Sequence, residues 1–270
     1  FLTPLIYLFN TYILMIVGGG QVSIFLPYAL APLTFALFVK NKTGDFLFLS
    51  VLSGLVLAIQ LTFEPRIAAV TFAALIFHLF FEYRLAILRY LKIFLIPLSI
   101  VVGIHFYWIL PTIILRKESY EAILSSSGWV GFLSFADFSN SLSLLHPNWP
   151  ENIFGKTSLM RPEFLILPVL VYAALLFAKN NRQILFFAGL GLVGAFLAKG
   201  TNPPLGEIYL WLFNNLPGMN LFRDASKFYI LVALSYSILI PFSISEIYKR
   251  LGMASKIFLL LIIGYLLFLI

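Results

Sequence analysis

The chain has 270 residues, of which 61% are hydrophobic and only 11% are charged. Soluble domains carry roughly 45–50% apolar and about 25% charged residues, so this composition excludes an ordinary soluble domain. The mean hydropathy of +0.99 predicts a polytopic membrane protein whose fold is an all-α transmembrane helical bundle. Cysteine is absent, which excludes disulfides, thiolate nucleophiles and cysteine-bound metals. The net charge of +7 is typical of cytoplasmic loops that face anionic lipid, so we expect membrane lipid and no nucleic acid as a partner.

Apolar runs account for most of the chain and predict about seven to nine membrane spans, because crossing the hydrocarbon core takes about 20 residues. The first run is short and is interrupted by Asn10, so it is expected to lie in the interface or to form half a span. The chain opens and closes within apolar runs, and we therefore expect a single transmembrane domain, residues 1–270, that is truncated at both ends. The runs are residues 3–17, 22–39, 46–63, 65–81, 92–114, 163–178, 183–198, 227–245 and 257–270.

Two long polar interruptions, residues 115–161 and 199–226, are expected to be extracytoplasmic loops that contain short interfacial helices. They are separated by two spans and therefore lie on the same side of the membrane. With both loops outside, the internal side holds ten basic and three acidic residues, as the positive-inside rule requires of a plasma-membrane protein. The bases are Lys40, Lys42, Arg84, Arg89, Lys92, Lys179, Arg182, Lys249, Arg250 and Lys256, and the acids are Asp45, Glu82 and Glu246.

The second loop ends in a charged segment, in which Arg223, Asp224 and Lys227 lead into the next span. If this segment is helical, the four-residue spacing places Arg223 and Lys227 on one face. Two cations beside free backbone N–H groups, at the outer end of a span, favour a phosphate-binding site. The alternative interpretation is that both cations anchor the helix in the headgroup layer and that Asp224 compensates the helix dipole.

Two other external features contain polar or aromatic side chains. Glu64-Pro65-Arg66 predicts a tight turn between spans, whose carboxylate and guanidinium either pair with each other or face a polar cavity shared with Arg223. Trp129 and Trp149 in the first loop are typical of short helices in the headgroup layer. These helices indicate either an interfacial cap over the spans or a wall of a groove for a lipid substrate.

Some patterns do not indicate a site. Gly189-Leu-Gly-Leu-Val-Gly194 matches a dinucleotide-binding pattern, but it lies inside an apolar run. Small residues in a spanning helix favour close helix packing, and we therefore expect no nucleotide cofactor there. His78, His105 and His146 lack metal-ligand spacing and predict no histidine metal site, and His105 is expected to be a packed or interfacial residue.

Three stretches carry a family resemblance. They are Tyr7-Leu-Phe-Asn10 with Gly20-Gln21 and Tyr28-Ala-Leu-Ala-Pro32, then Trp108-Ile-Leu-Pro111, and finally Pro217-Gly-Met-Asn-Leu-Phe-Arg-Asp-Ala-Ser-Lys-Phe228. In these stretches the chain resembles the multi-spanning glycosyltransferases of the GT-C class. It is similar in particular to the YfhO-type bacterial membrane proteins and to the N-terminal membrane domain of the mycobacterial arabinofuranosyltransferases.

The resemblance implies a transferase that moves a sugar from a polyprenyl-phosphate donor to an extracytoplasmic glycan, lipid or protein acceptor. One carboxylate then acts as general base. In that class the base lies after the first span, so we expect the catalytic residue to lie outside this chain. The resemblance implies no cofactor in this chain and leaves open a divalent metal in the full-length protein. It implies substrate-binding roles for Arg223, Lys227, Asp224, Glu64, Arg66, Trp129 and Trp149.

Other functions remain as alternatives. A transporter or flippase for a lipid-linked substrate would also have external loops, although such proteins usually carry inverted repeats and polar residues at the midplane. An O-antigen ligase or polymerase would use the same kind of donor with a different acceptor. A structural membrane subunit would need no site at all.

Overall fold

The computed structural model describes residues 2–40, 45–83, 91–115, 127–143, 165–178 and 180–251, together with Ile257, Leu260, Leu261 and Gly264. All regular structure in these ranges is helical, as the sequence predicts. The α-helices are α1 Leu2–Leu8, α2 Thr11–Gly18, α3 Val22–Lys40, α4 Phe46–Phe63, α5 Pro65–Tyr83, α6 Leu95–Leu115, α7 Ser127–Phe132, α8 Phe138–Leu142, α9 Ile166–Phe177, α10 Arg182–Ala198, α11 Gly206–Asn215 and α12 Tyr229–Leu251. Shorter 3₁₀ turns are Leu91–Phe94, Met219–Phe222 and Ala225–Phe228.

Five of the described helical segments are long and apolar enough to cross a membrane. They are Val22–Lys40, Phe46–Phe63, Pro65–Glu82, Leu95–Ile114 and Ala225–Arg250. Helices α9 and α10 are also apolar but shorter. Only 17% of the α6 span is buried, and an apolar helix face left outside the bundle is suited to contact with lipid. The chain is therefore a membrane-embedded helical bundle.

The first apolar run forms two helices that meet at Asn10. The side-chain oxygen of Asn10 accepts a hydrogen bond from the backbone N–H of Ile13, at 3.1 Å, and so caps α2. Its amide donates to the Tyr7 carbonyl at 2.7 Å and to the Tyr28 hydroxyl at 3.1 Å. The Tyr7 and Tyr28 rings stack at 4.4 Å, and each hydroxyl donates to the other residue's carbonyl. This corner ties α1 and α2 to α3, and it confirms the break predicted at Asn10.

The central helix is α12, whose span is 78% buried. It packs most closely against α10, where glycine allows the two backbones to approach. A Cβ atom at Gly191 would lie 2.5 Å from Ser235 Oγ, and one at Gly194 would lie 2.7 Å from Leu231 Cβ. These distances are too short for a side chain, so Gly191 and Gly194 allow close helix packing, as predicted for this pattern.

Helices α3, α4 and α5 are joined by a buried polar side chain on α4. Gln60 is fully buried and donates to the Pro27 carbonyl at 2.7 Å, and its oxygen accepts a hydrogen bond from Thr34 Oγ1 at 2.9 Å. Since no water is present in the hydrocarbon core, such groups must find partners in neighbouring helices. The network therefore holds the helix that leads to Glu64 against the rest of the bundle.

Candidate ligand-binding site

Glu64 and Arg66 form an ion pair at the turn between α4 and α5. Pro65 restricts the residue before it to extended backbone, and Glu64 has φ −153° and ψ 98°. Arg66 Nε lies 2.6 Å from Glu64 Oε1, and Arg66 Nη2 lies 3.0 Å from Glu64 Oε2. This bidentate geometry is the strongest form of such a pair. Of the two arrangements that the sequence allowed, these residues pair with each other; a cavity shared with Arg223 stays a prediction.

Asp224 and Lys227 form a second ion pair at the start of the last span. Asp224 Oδ1 accepts a hydrogen bond from the Ser226 backbone N–H at 3.0 Å, and Asp224 Oδ2 lies 2.5 Å from Lys227 Nζ. Lys227 is only 3% exposed, and its ammonium also donates to Ser226 Oγ at 3.3 Å. Asp224 therefore caps the turn Ala225–Phe228 and neutralises a buried cation.

The expected common helix face of Arg223 and Lys227 is wrong. Asp224 has extended backbone (φ −93°, ψ 100°), the next turn is 3₁₀, and α12 begins only at Tyr229. The four-residue rule holds for a continuous α-helix, which this segment is not. Lys227 consequently points to Asp224, while Arg223 precedes the turn.

Arg223 is half-buried and forms no hydrogen bond or ion pair with any described residue. Its acidic neighbour Asp224 is already engaged by Lys227 and Ser226. A guanidinium carries five N–H donors in a planar fork that matches phosphate or carboxylate. Since no described residue occupies these N–H donors, they are available to a ligand.

The two ion pairs form one cluster, which we call the ion-pair cluster (Glu64, Arg66, Asp224 and Lys227). Helix α5 contacts the turn Ala225–Phe228. Burial of Glu64 disfavours its charged form, but the hydrogen bonds and charge of Arg66, with the charge of Lys227, outweigh burial and hold the pKa of Glu64 below its ordinary value. Burial likewise opposes ionisation of Asp224, but Lys227 and Ser226 hold its pKa below the ordinary value. Both carboxylates are therefore ionised at neutral pH and serve as hydrogen-bond acceptors.

Tyr12 on α2 belongs to the same region, although no sequence signal distinguishes it from the other tyrosines. Its ring is 5.6 Å from that of Tyr229 and 5.7 Å from that of Tyr28. The residue is 2% exposed, and its hydroxyl has no hydrogen-bond partner in the described part of the chain. The charges that act on this hydroxyl are those of Asp224, Arg66 and Glu64. An unsatisfied hydroxyl thus lies within electrostatic reach of both ion pairs, on a ring that stacks on Tyr229 two residues after Lys227.

An apolar groove of about 420 Å³ runs between α5 and α10 and ends under the loop that leads to Arg223. We call it the α5–α10 groove. Its lining includes Ala73 and Phe77 on α5, Leu190 and Leu197 on α10, and Pro217 and Phe222 on the loop. Phe222 directly precedes Arg223, so the residue with the unpaired guanidinium follows a groove residue in the chain.

The second loop is held in place by a buried cation, Lys199. Its ammonium donates to the carbonyls of Asn202, at 2.6 Å, and Gly200, at 3.3 Å, and lies 4.5 Å from the centre of the Phe196 ring. Burial lowers the pKa of Lys199. Both carbonyls belong to the loop that follows α10, so Lys199 ties this loop to the end of the helix and is not open to a ligand. The sequence does not predict that Lys199 is buried, because this residue stands at the start of a polar loop.

The two loops also contact each other. The Asn202 amide donates to the carbonyls of Ser134, at 2.8 Å, and Ala136, at 2.9 Å, and the Thr201 backbone N–H donates to Ser134 Oγ at 3.0 Å. Tyr209 on α11 donates to the Phe222 carbonyl, next to Arg223. The segment that contains α7 and α8 is therefore tied to the loop that contains the unpaired guanidinium.

The remaining predicted residues lie elsewhere. Trp129 is on α7, is 47% exposed and packs edge-to-face on Phe132 at 6.0 Å. Trp149 and His146 lie outside the described residues. His105 is buried, accepts a hydrogen bond from Trp108 Nε1 at 2.9 Å and contacts the Ala58 carbonyl, which confirms its interpretation as a packed residue.

Among the described residues, no group of three His, Asp or Glu side chains is placed to hold a metal ion. Comparison of the chain with protein-family models, with curated proteins and with solved structures finds no match. The site itself therefore carries the functional argument.

Proposed function

We propose that this protein is the donor-binding membrane region of a GT-C type glycosyltransferase in the plasma membrane. It takes a sugar from a polyprenyl phosphate and passes it to an extracytoplasmic glycan, lipid or protein acceptor. The observation that carries this proposal is that Arg223, which has no partner among the described residues, directly follows Phe222, a residue that lines the α5–α10 groove. A guanidinium with unused donors suits a phosphate, and an apolar groove suits a hydrocarbon chain. A lipid phosphate is a ligand that satisfies both.

The charges around Arg223 support the same ligand. Lys227 and Arg66 are compensated by Asp224 and Glu64, and Lys199 is held by backbone carbonyls. Among the described residues of this region, the cation without any partner is therefore Arg223. A phosphodiester between a sugar and a lipid carries one negative charge. On departure of the sugar, the phosphate gains a second negative charge, and a fixed guanidinium stabilises it as that charge develops.

The proposal is tested with the full-length parent protein in proteoliposomes and a panel of radiolabelled undecaprenyl-phosphate sugars. Binding and transfer are measured for the wild type, for Arg223→Ala and for Arg250→Ala. Arg250 is a matched control, because it lies at the opposite end of α12 and packs on Phe177. We expect Arg223→Ala to weaken donor binding about tenfold or more and to reduce transfer, since a charged hydrogen bond contributes about 1.5–3 kcal/mol. We expect Arg250→Ala to resemble the wild type.

Each result separates the proposal from its alternatives. Normal transfer by Arg223→Ala contradicts the phosphate role. Binding and translocation of the lipid without transfer contradict the transferase and indicate a flippase. Transfer from a lipid donor that carries a preassembled glycan, without transfer from the single-sugar donors, indicates an O-antigen ligase or polymerase, and no binding at all indicates a structural subunit.

A further inference from the structure

The Tyr12 hydroxyl lacks the partner that a buried polar group requires. Nearly all buried hydroxyl groups in proteins have a hydrogen-bond partner, and each exception asks for an explanation. The Tyr7 and Tyr28 hydroxyls close by are both satisfied by backbone carbonyls. Tyr12 differs from them, because its hydroxyl has no partner in the described ranges, while its ring stacks on Tyr229, next to the turn that contains Lys227. The hydrogen-bonding capacity of this hydroxyl is therefore unused.

The surrounding ion-pair cluster still has hydrogen-bonding capacity. Arg66 engages Glu64 through Nε and Nη2, which leaves Nη1 without a hydrogen bond to any described residue. Each carboxylate oxygen accepts more than one hydrogen bond, so Glu64 and Asp224 have acceptor capacity left. The side chains of Arg66 and Asp224 are 27% and 21% exposed, so the cluster is open at its surface.

The charge balance of this cluster decides which kind of ligand it suits. Its two cations and two anions cancel, so it does not attract an anion as a whole. An anionic group placed beside Tyr12 would also face the carboxylates of Glu64 and Asp224, which repel it. An uncharged group with many hydroxyls meets no such repulsion. It donates to the carboxylates and accepts from Tyr12 and Arg66.

We propose that Tyr12, together with the ion-pair cluster, binds the sugar of the lipid-linked donor and that the Tyr12 hydroxyl selects among sugars. This inference rests on the proposed function and names the residue that gives it specificity. Arg223 and Asp224 are consecutive, so the phosphate and sugar positions adjoin, as they must for a sugar joined to phosphate. A buried protein hydroxyl that pairs with one hydroxyl of the sugar discriminates against sugars that lack this group. With such a sugar bound, the protein hydroxyl is left without a hydrogen bond.

Tyr12→Phe is a sharp test because it removes only the unpartnered hydroxyl. Since no protein hydrogen bond is lost, we expect the melting temperature to stay the same or rise. Tyr172→Phe is the matched control: the Tyr172 hydroxyl is also buried without a partner in the described chain, but it lies beside Gly191 inside the bundle. Both variants remove a hydroxyl oxygen that has no hydrogen-bond partner. A difference in ligand binding between them therefore reflects where the two hydroxyls lie in the protein.

The experiment measures binding of undecaprenyl phosphate without a sugar and of undecaprenyl-phosphate-linked glucose, mannose, galactose and arabinose to the full-length protein. We expect Tyr12→Phe to weaken the preferred glycosylated lipid about three- to tenfold, the loss of one hydrogen bond, and to bind undecaprenyl phosphate as the wild type does. The differences in affinity among the four glycosylated lipids should become smaller in this variant. Tyr172→Phe should match the wild type throughout.

Two outcomes overturn the inference alone, with donor binding intact. One is unchanged sugar preference in Tyr12→Phe, and the other is an equal loss for the lipid with and without sugar. A wild type that binds none of the lipids, or an Arg223→Ala variant that binds undecaprenyl phosphate normally, contradicts the proposed function instead.

Discussion

The cations of the candidate site differ in whether they have a carboxylate partner, and we expect this to decide their roles. Lys227 and Arg66 each have a carboxylate partner, whereas Arg223 has none among the described residues. A buried cation that left its partner to bind an anion would strand that carboxylate, which is costly. We therefore expect the ion pairs to stabilise the fold and the proposed anion binding to depend on Arg223.

The Glu64–Arg66 pair makes the stability of the folded protein depend on pH. The pKa of Glu64 in the folded protein lies below its ordinary value of 4.5. Its ionised form therefore contributes stability above that pH, and the contribution is lost as the pH falls through the lower folded value. We expect Glu64→Gln to lower the stability at pH 7 by about 1–3 kcal/mol and to flatten the dependence below pH 5, measured by thermal unfolding in detergent between pH 3 and 7.

The exposed pair Glu246–Lys249 provides the control for this measurement. Lys249 is 66% exposed at its side chain, and exposed pairs contribute about 0–1 kcal/mol. Glu246→Gln should thus change stability little at any pH. Equal effects of the two substitutions would mean that the buried pair contributes no more than a surface pair.

Only part of the site can be predicted from single residues. The pairing of Glu64 with Arg66 is local, since both flank one proline turn, and the sequence allows it. The pairing of Lys227 with Asp224 is also local, since the two residues are three apart in one 3₁₀ turn. The unsatisfied hydroxyl of Tyr12, in contrast, depends on how α2, α5 and the last span meet. Those segments are far apart in the chain, and no local spacing records their contact.

At the scale of helices, the α10–α12 contact gives a prediction with an internal control. A Cβ atom at Gly194 would approach the Val232 nitrogen to 3.0 Å and Leu231 Cβ to 2.7 Å, whereas nothing lies within 4 Å of one at Gly189. We expect Gly194→Ala to destabilise the protein by about 1–3 kcal/mol through overpacking. Gly189→Ala should be neutral or stabilising by up to about 1 kcal/mol, because alanine favours the helix. Thermal unfolding of both variants checks this, and equal behaviour would contradict close packing at Gly194.

The tether between the loops gives a second prediction at this scale. Asn202→Ala removes two hydrogen bonds to the carbonyls of Ser134 and Ala136. We expect faster backbone hydrogen exchange in residues 127–143 and a loss of about 1–3 kcal/mol, because those carbonyls lose their partner. Asn215→Ala is the control, since Asn215 is exposed and bonds only within its own helix, to the Trp211 carbonyl. Unchanged exchange in Asn202→Ala would mean that α7 and α8 are held by other contacts.

Helix positions are easier to predict than these contacts. The run 46–63 coincides with α4, because Asp45 caps its start and Pro65 lies just past its end. The run 3–17 becomes two helices, because Asn10 offers its side chain as a cap. Caps and prolines act on neighbouring residues, and they can therefore be recognised in the sequence. The 3₁₀ turn that replaces a continuous helix after Arg223 cannot be recognised in this way, because the Asp224–Lys227 pair and the packing of Phe228 stabilise it.

At the scale of the whole molecule, charged residues lie at both ends of α12. The turn with Asp224 and Lys227 precedes its first residue, and Lys249 and Arg250 lie in its last turn. At about 1.5 Å per residue, the 23 residues of α12 separate the two ends by roughly 35 Å, enough to cross a hydrocarbon core of about 30 Å. The ligand site and the basic end therefore suit opposite faces of one membrane.

The absence of cysteine makes this arrangement directly testable. A single thiol is introduced as Glu207→Cys, on the exposed face of α11, or as Lys249→Cys, near the end of α12, in a full-length parent freed of any other cysteine. Because the basic side is expected to face the cytoplasm, a membrane-impermeant maleimide should label Glu207→Cys in intact cells. Lys249→Cys should react only after the cells are permeabilised. The reverse pattern would place Arg223 at the cytoplasmic face, where it could not serve a donor used outside, and would exclude the extracytoplasmic transferase while leaving the helical bundle unchanged.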